Sequence, residues 1–251
     1  MSYFYWNYRI ERVFCSQKWT GFIKIKMNFN YFVVSGVFMS NGFSFIQVMN
    51  PYFSPRQLSI IQKTTIGIAG AGGIGSNCAV MLVRSGFTRF VIADFDRVSA
   101  PNLNRQAYTT EHINRAKVEC LKEVCIAINP DVAMSIHPIR IDETNVTELF
   151  NGCDAVIEAF DDAAAKALLF SRLLHSGKLL VGVSGIAGIG ESDRIVIREV
   201  RKNCYIVGDN VTGVGNINKP YAPRVTVAAA KMADIVLSWV LSRAGLLEVV
   251  S

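Results

Sequence analysis

Glycines crowd one short stretch of the chain, from Gly70 to Gly75, with the sequence Gly-Ala-Gly-Gly-Ile-Gly. A short apolar run, Thr65–Ala69, precedes it, and a helical pattern over residues 76–85 follows it. Glycine allows a tight turn from strand to helix, and the free N–H groups at the start of that helix attract anions. The stretch therefore predicts a turn that binds the phosphates of a nucleotide, rather than one that only joins two elements. The glycines expected to approach the nucleotide are Gly70, Gly72, Gly73 and Gly75.

A dense polar loop follows the next apolar run, Arg89–Ala93. Asp94 lies about 20 residues beyond the glycines, the spacing of an acid that binds ribose hydroxyls. Arginine is a planar, permanently charged donor suited to phosphate oxygens. A hydride-transfer site has no need for such a cluster, whereas a triphosphate does. The loop's candidate ligand-binding residues are Asp94, Asp96, Asn102, Arg105 and Gln106; Asp96 could equally brace its own loop.

The elements around these residues alternate. Helices are expected over residues 76–85, 111–128, 162–175 and 225–241, and strands over 65–69, 89–93, 132–138, 154–158, 178–183, 195–200 and 204–207. Alternation of this kind predicts an α/β fold, Rossmann-like and doubly wound, with a mostly parallel sheet and helices on both faces.

The first 55 residues differ in composition from the remainder. Sixteen of the 26 aromatic residues lie in residues 1–53. We expect residues 1–55 to be an atypical, aromatic-rich extension, peripheral or poorly ordered, and residues 56–251 to form the nucleotide-binding domain. Polar residues interrupt the uncharged stretch 27–55, which argues against a membrane span of about 20 residues.

Charge and cysteine content narrow the class of protein. Residues 1–66 hold seven Lys and Arg and one acid, so that the remainder, with 19 of each, is neutral and has no global field for nucleic acid. The six cysteines form no CxxC pair, so we expect no zinc and interpret them as reduced thiols of a cytoplasmic protein.

Six motifs follow one another along the chain: Gly70–Ser76, Asp94-Phe-Asp96, Asn102-Leu-Asn-Arg-Gln106, Lys117, Ile128-Asn-Pro130 and Glu158-Ala-Phe-Asp-Asp162. This series resembles the ThiF/MoeB/HesA family, the bacterial relatives of ubiquitin-activating enzymes. The resemblance covers about residues 64–243. The stretches 183–190, 207–209 and 222–225 are similar to the short, zinc-free form of ThiF, which adenylylates the sulfur carrier ThiS in thiamine biosynthesis.

The resemblance implies ATP and Mg²⁺ as cofactors, and a carrier protein ending in Gly-Gly as partner. The carrier's glycine carboxylate attacks ATP to give an acyl-adenylate and pyrophosphate. Arg105, Lys117 and Asp161 are the implied catalytic residues: Arg105 grips the phosphates, Lys117 stabilises charge near the α- and β-phosphates, and Asp161 binds Mg²⁺. The family also implies a homodimer. Taken alone, Lys117 could be an exposed helix lysine, and Asp161 could be the N-cap of the helix that follows.

Other functions compete with this one. A related family resembling TcdA dehydrates a modified tRNA adenosine with ATP, and the glycine turn alone would suit an NAD-dependent oxidoreductase or a non-enzymatic nucleotide-binding scaffold.

Cys204 is the one cysteine near the region where longer relatives have reactive thiols, but we expect a structural role. Arg56 is a candidate for reaching a neighbouring subunit.

Overall fold

A computed structural model describes residues 44–213, 215 and 218–247. Within these ranges the strands are β1 (Thr65–Ala69), β2 (Arg89–Ala93), β3 (Ala133–His137), β4 (Ala155–Glu158), β5 (Leu179–Val183), β6 (Val196–Arg201) and β7 (Cys204–Gly208). The helices are α1 (Phe45–Met49), α2 (Pro55–Lys63), α3 (Gly73–Arg84), α4 (Lys117–Ile128), α5 (Val146–Leu149), α6 (Ala163–Leu173) and α7 (Ala222–Arg243).

All seven strands form one sheet, in the order β3-β2-β1-β4-β5-β7-β6. Every neighbouring pair is parallel except β6 and β7, which are antiparallel. The short apolar runs read from the sequence suit this arrangement, because parallel strands are buried on both faces. The predicted doubly wound α/β fold is confirmed.

Helices cover both faces of the sheet. On one face α3 packs against α4 and α7, and on the other α5 packs against α6. Side chains of β4 alternate between the two cores: Ala155 and Ile157 join the α3 side, and Val156 joins the α6 side. The apolar helix α7 is long enough to span a membrane by length and composition, but half of its most apolar stretch is buried within the protein.

The switch in strand order falls between β1 and β4. The chain leaves β1 for α3 on one face and leaves β4 for α6 on the other, so their carboxyl ends open a crevice between them. Ligands of open α/β sheets bind in such a crevice. The glycine turn follows β1, and Asp161 follows β4.

Three helix starts differ from the sequence-based expectation by three residues or more, and one of them is that of α7, which begins at Ala222 rather than at residue 225. The first helix begins at Gly73, inside the glycine turn, rather than at residue 76, and α4 begins at Lys117 rather than at residue 111. In place of the first turn expected for α4 there is a 3₁₀ helix, Thr110–His112.

Helix α2 was not expected from the sequence, although its start carries a clear signal. Ser54 and Gln57 form a reciprocal capping box, and Pro55 occupies the first helical position. Together with α1 it lies partly within the extension predicted for residues 1–55. Residues 1–43 fall outside the described ranges, so the boundary at residue 55 stays a prediction.

Candidate active site

The glycine turn brings β1, α3 and the loop after β4 into close contact. Gly70 has φ of +97°, and a Cβ there would lie 2.9 Å from the Ala159 carbonyl oxygen. A Cβ on Gly75 would lie 1.8 Å from the Gly70 carbonyl oxygen. Both glycines are therefore required for the turn to close, and α3 begins directly within it at Gly73, where the first helical amides have no intrahelical partner.

Asp94, at the end of β2, supports the turn directly. Its Oδ2 accepts a hydrogen bond from the Ala71 amide at 2.6 Å, and its Oδ1 accepts one from the Asp96 amide at 2.7 Å. Burial raises the pKa of Asp94, and the nearby Lys117 ammonium opposes that rise. Because a carboxylate has about four acceptor positions, Asp94 can brace the turn and still accept from a ribose.

Lys117 is buried at the start of α4, with 6% of its surface exposed. Its Nζ lies 2.7 Å from Asp96 Oδ2 and 3.9 Å from Asp94 Oδ2. The Tyr108 hydroxyl donates to the Ala71 carbonyl at 2.7 Å and so anchors the turn from the same side. Lys117 is therefore not an exposed helix lysine, and Asp96 braces the loop by pairing with it.

The polar loop is folded onto itself through a 3₁₀ helix, Ala100–Asn104. Asn102 Oδ1 accepts from the Ser99 amide at 3.0 Å, which leaves the Asn102 amino group available. Arg105 Nη1 donates to Asn104 Oδ1 at 2.8 Å. These contacts fix the loop's shape without using all of its donors.

Gln106 is a buried polar residue of this loop. Its Oε1 is buried without a hydrogen-bond partner in the described part of the chain, and its Nε2 faces Gly72. The unpartnered oxygen is an acceptor, so it would need a donor of a ligand rather than a phosphate oxygen, whereas Gln106 Nε2 is the group that can donate to a phosphate.

Two α3 side chains tie the loop to the turn. Asn77 Nδ2 donates to the carbonyls of Gly73 and Arg105 at 2.6 and 2.8 Å, and Ser76 Oγ accepts from the Ala107 amide at 3.1 Å. Asn77 and Tyr108 carry no separate signal in the sequence, because both act through backbone carbonyls that spacing does not reveal.

Asp161 and Asp162 are adjacent in the chain but have different roles. Asp162 Oδ2 accepts from the Ala165 amide at 2.7 Å, so Asp162, not Asp161, is the N-cap of α6. The Asp161 carboxylate is exposed and makes no hydrogen bond to any residue of the described ranges. Burial lowers the pKa of Arg105, and the charge of Asp161 opposes that change, which puts the two side chains within electrostatic reach of each other.

A buried ion pair lies beneath the Asp161 loop. Glu158 is 1% exposed, and both of its oxygens accept from Lys166 Nζ, at 2.8 and 3.0 Å. Burial raises the pKa of Glu158, and Lys166 opposes the rise. An acid at the end of an apolar strand requires such a partner, but the eight-residue separation gave no pattern that named Lys166.

A second buried pair joins the stretches 207–209 and 222–225. Arg224 Nη2 donates to Asp209 Oδ2 at 2.7 Å, and Arg224 Nη1 donates to the Gly190 carbonyl at 2.7 Å. Burial tends to raise the pKa of Asp209, but hydrogen bonds from Thr212, Val211 and Arg224 outweigh it and lower the pKa to about 2. These two stretches therefore anchor the loop after β5 to the start of α7.

The structure brings most of the predicted site residues to one edge of the sheet. That group consists of Gly70, Gly72, Gly73, Gly75, Asp94, Asp96, Asn102, Arg105, Gln106, Lys117 and Asp161.

Cys204 and Arg56 lie elsewhere. Cys204 is buried on β7, and burial raises its pKa, so that it lacks the features of an activated thiol. Arg56 is exposed in the first turn of α2, whose Gln57 contacts the Leu246 carbonyl beyond the far end of α7. Its reach into a neighbouring subunit stays a prediction.

Two open cavities, of about 290 and 460 Å³, share Trp239 and Arg243 in their walls. They lie at the amino ends of the strands, near Thr64 and Asn203. None of the predicted site residues lines them.

The chain resembles known proteins over the region that contains this edge of the sheet. The model of the ThiF family matches residues 46–245. The chain belongs to the ThiF family. This ThiF-family chain is 30% identical over 136 residues to a sulfur carrier protein adenylyltransferase of Thermus thermophilus, covering 54% of this chain and 50% of the relative. It is 31% identical over 205 residues to ubiquitin-like modifier-activating enzyme 5 of Caenorhabditis briggsae, covering 77% of this chain and 47% of that enzyme.

A solved structure resembles the ThiF-family chain over most of its length. The tRNA N6-threonylcarbamoyladenosine dehydratase TcdA of E. coli, in complex with ATP, superposes with a TM-score of 0.72 at 20% identity, covering 80% of this chain and 95% of TcdA. At that identity the likeness shows the fold. The chain spans about half the length of the two curated relatives above.

Proposed function

We propose that this protein uses ATP to adenylylate the C-terminal glycine of a small ubiquitin-like sulfur carrier, ThiS, in thiamine biosynthesis. The observation that carries the proposal is the buried Lys117, held between Asp94 and Asp96 beside the glycine turn. A buried ammonium at an anion-binding turn suits a polyphosphate. The relatives named as adenylyltransferase and modifier-activating enzyme support the same class of activity.

In the proposed reaction a carboxylate oxygen of the carrier attacks the α-phosphorus, and the bond to the β-phosphate breaks to release pyrophosphate. Both reactants are anions, so the site must neutralise charge and align them. The backbone at Gly72, Gly73 and Gly75 approaches the phosphates, and Asp94 accepts from the ribose. The donors proposed for the phosphates are Asn102, Arg105, Gln106 and Lys117.

Mg²⁺ is proposed as the cofactor held by Asp161. The residues fit this ion: the Asp161 carboxylate is exposed, free of the helix cap, and follows β4 at the sheet edge that carries the glycine turn. Mg²⁺ usually binds through one or two carboxylates together with phosphate oxygens and water. This agrees with the finding that no cluster of three metal-binding side chains occurs in the described ranges. The bound ion would neutralise charge on the triphosphate.

We further propose that the protein acts as a cytoplasmic homodimer on a carrier ending in Gly-Gly. The family match supports a ubiquitin-like partner. The five described cysteines, all buried free thiols, agree with a reducing compartment.

ATP–pyrophosphate exchange tests the proposal. We expect labelled pyrophosphate to exchange into ATP in the presence of ThiS. We expect no exchange when ThiS lacks its final glycine. NAD binding without exchange for any Gly-Gly carrier would overturn the proposal in favour of an oxidoreductase.

The TcdA-like dehydratase remains the alternative enzyme, because the shared fold does not distinguish the two substrates. Incubation with ATP and tRNA carrying threonylcarbamoyladenosine separates them. Dehydration of that tRNA, with no ThiS-dependent exchange, would assign the protein to the alternative.

A further inference from the structure

The Glu158–Lys166 pair connects the ends of two central strands. Besides binding both oxygens of Glu158, Lys166 Nζ donates to the Val183 carbonyl, the last of β5, at 3.1 Å. Glu158 is the last residue of β4, and Lys166 lies in the first turns of α6. One ammonium group therefore ties β4, β5 and α6 together at the carboxyl edge of the sheet.

The same carboxylate holds the residue that precedes Asp161. Glu158 Oε1 accepts from the Phe160 amide at 2.7 Å, so that the chain turns back over the ion pair immediately before Asp161. Immediately after it, Asp162 caps α6. Asp161 thus lies between two anchored neighbours, while its own carboxylate is exposed.

The first part of this loop also packs against the glycine turn. The Ala159 carbonyl is so close to Gly70 that a Cβ on that glycine would lie 2.9 Å from it. The position of Asp161 relative to the glycine turn is therefore set by contacts beneath it rather than by its own side chain.

We propose that Lys166 and Glu158 are positioning residues that hold the Asp161 carboxylate where it and the glycine turn bind one metal–nucleotide complex together. The inference rests on the proposed nucleotide site but not on the identity of the carrier. A group that orients a metal ligand from behind contributes to metal affinity, and its loss costs about 10- to 100-fold.

A matched lysine provides the control. Lys178 Nζ binds two main-chain carbonyls, those of Asn151 and Cys153, at 2.7 and 2.8 Å. These contacts lie at the opposite edge of the sheet, near the start of β5. Lys178→Met therefore removes an ammonium group and its main-chain hydrogen bonds, but no ion pair, without affecting the Asp161 loop.

The test is calorimetric titration of the full chain with ATP in MgCl₂ and with ATP in EDTA. Lys166→Met is expected to weaken binding of ATP with Mg²⁺ at least about tenfold and to leave the affinity for ATP in EDTA nearly unchanged. Lys178→Met is expected to change neither. Three results would overturn the inference. Lys166→Met could weaken ATP binding equally in MgCl₂ and in EDTA, or could weaken it in neither. The ATP affinity of the wild-type protein could also prove to be independent of Mg²⁺.

A double-mutant cycle distinguishes positioning from a general structural effect. On the Asp161→Asn background, Lys166→Met is expected to cause little further loss of Mg²⁺-dependent affinity, because it acts through Asp161. Additive losses would contradict the inference. Lys166→Met leaves Glu158 buried and unpaired, and the variant could fail to fold for that reason. In that case the double variant Glu158→Gln, Lys166→Met replaces it. An ATP affinity of this double variant that depends on Mg²⁺ as strongly as that of the wild type would contradict the inference.

The proposed function and this inference fail in different ways. An absence of carrier-dependent pyrophosphate exchange would refute the function and leave the Mg²⁺ titrations unaffected. Normal exchange together with unaltered Mg²⁺ dependence in Lys166→Met would refute only the inference.

Discussion

Lys117 illustrates how a side chain's surroundings decide its role. A lysine on a helix is usually solvated, yet here its ammonium lies between two carboxylates beside a turn of free amides. An ammonium has three donors. Asp96 takes one at 2.7 Å, so that others remain for a phosphate.

Lys117→Met is expected to lower the rate of ATP–pyrophosphate exchange about a hundredfold or more, because one preorganised charged donor supplies about 3 kcal/mol of transition-state stabilisation. Lys122→Met, on the same helix and partly exposed, serves as the control and should exchange at the wild-type rate. Equal rates for the two variants would remove Lys117 from the site.

Asp209 predicts an acid-dependent loss of stability. Its pKa is lowered to about 2 in the folded protein, against about 3.9 when unfolded. A lowered pKa contributes stability above the unfolded value, and this is lost as the pH falls through the folded value. The stability advantage of wild type over Asp209→Asn, measured by urea unfolding, should therefore be full at neutral pH and shrink between about pH 4 and pH 2.

Sequence could identify individual site residues better than the contacts among them. Asp94, Arg105 and Lys117 follow from residue type and spacing. The choice between Asp161 and Asp162 as the α6 cap depends on the residue at which the helix begins, which is Ala163. The Glu158–Lys166 pair joins residues eight apart on different elements, a separation that no periodic pattern connects.

Elements were predictable where their residues are uniformly apolar. The runs that form β1 and β2 were identified at their exact ends, since burial on both faces demands such runs. Helix starts were less accurate, because α3 begins within glycines and α4 begins after a 3₁₀ turn. The antiparallel pairing of β6 and β7 follows from the two residues that connect them, because a connection so short can join only antiparallel strands.

The turn between β1 and α3 depends on its last glycine. Gly75→Ala would place a Cβ 1.8 Å from the Gly70 carbonyl oxygen. We expect the turn to open, with a lower melting temperature and loss of ATP binding. Gly152→Ala, where a Cβ would have nothing within 4 Å, should retain both. Calorimetric binding and thermal unfolding of the two variants make the comparison, and full ATP binding by Gly75→Ala would exclude this turn as the site.

The link between β7 and α7 rests on Arg224. Arg224→Met leaves Asp209 buried without its charged partner and is expected to cost about 3–5 kcal/mol in the free energy of unfolding. Arg194→Met removes an exposed pair with Glu191 and should cost at most about 1 kcal/mol. Urea unfolding measures both, and similar losses would mean that the buried pair contributes no more than a surface one.

At the scale of the molecule, the described residues from 44 onward contain both hydrophobic cores and the candidate site. The predicted peripheral role of the N-terminal residues can be tested by truncation. Removal of residues 1–42 is expected to leave the melting temperature and the exchange rate unchanged. Removal of residues 1–54 should lower the melting temperature, because it deletes the buried Met49 and the Ser54 cap of α2. Loss of exchange in the shorter truncation would show that the extension belongs to the working protein.

The position of β1 beside β4 affects how the two halves of the sheet are held together. It divides the sheet into two halves, β3-β2-β1 and β4-β5-β7-β6, each supplying part of the crevice: the glycine turn and Asp94 from one, Asp161 from the other. A nucleotide bound across this seam would act as a reversible cross-link between the halves. Nucleotide binding would then stabilise the folded sheet against separation of its halves, and above the dissociation constant this stabilisation would grow with the logarithm of the free nucleotide concentration.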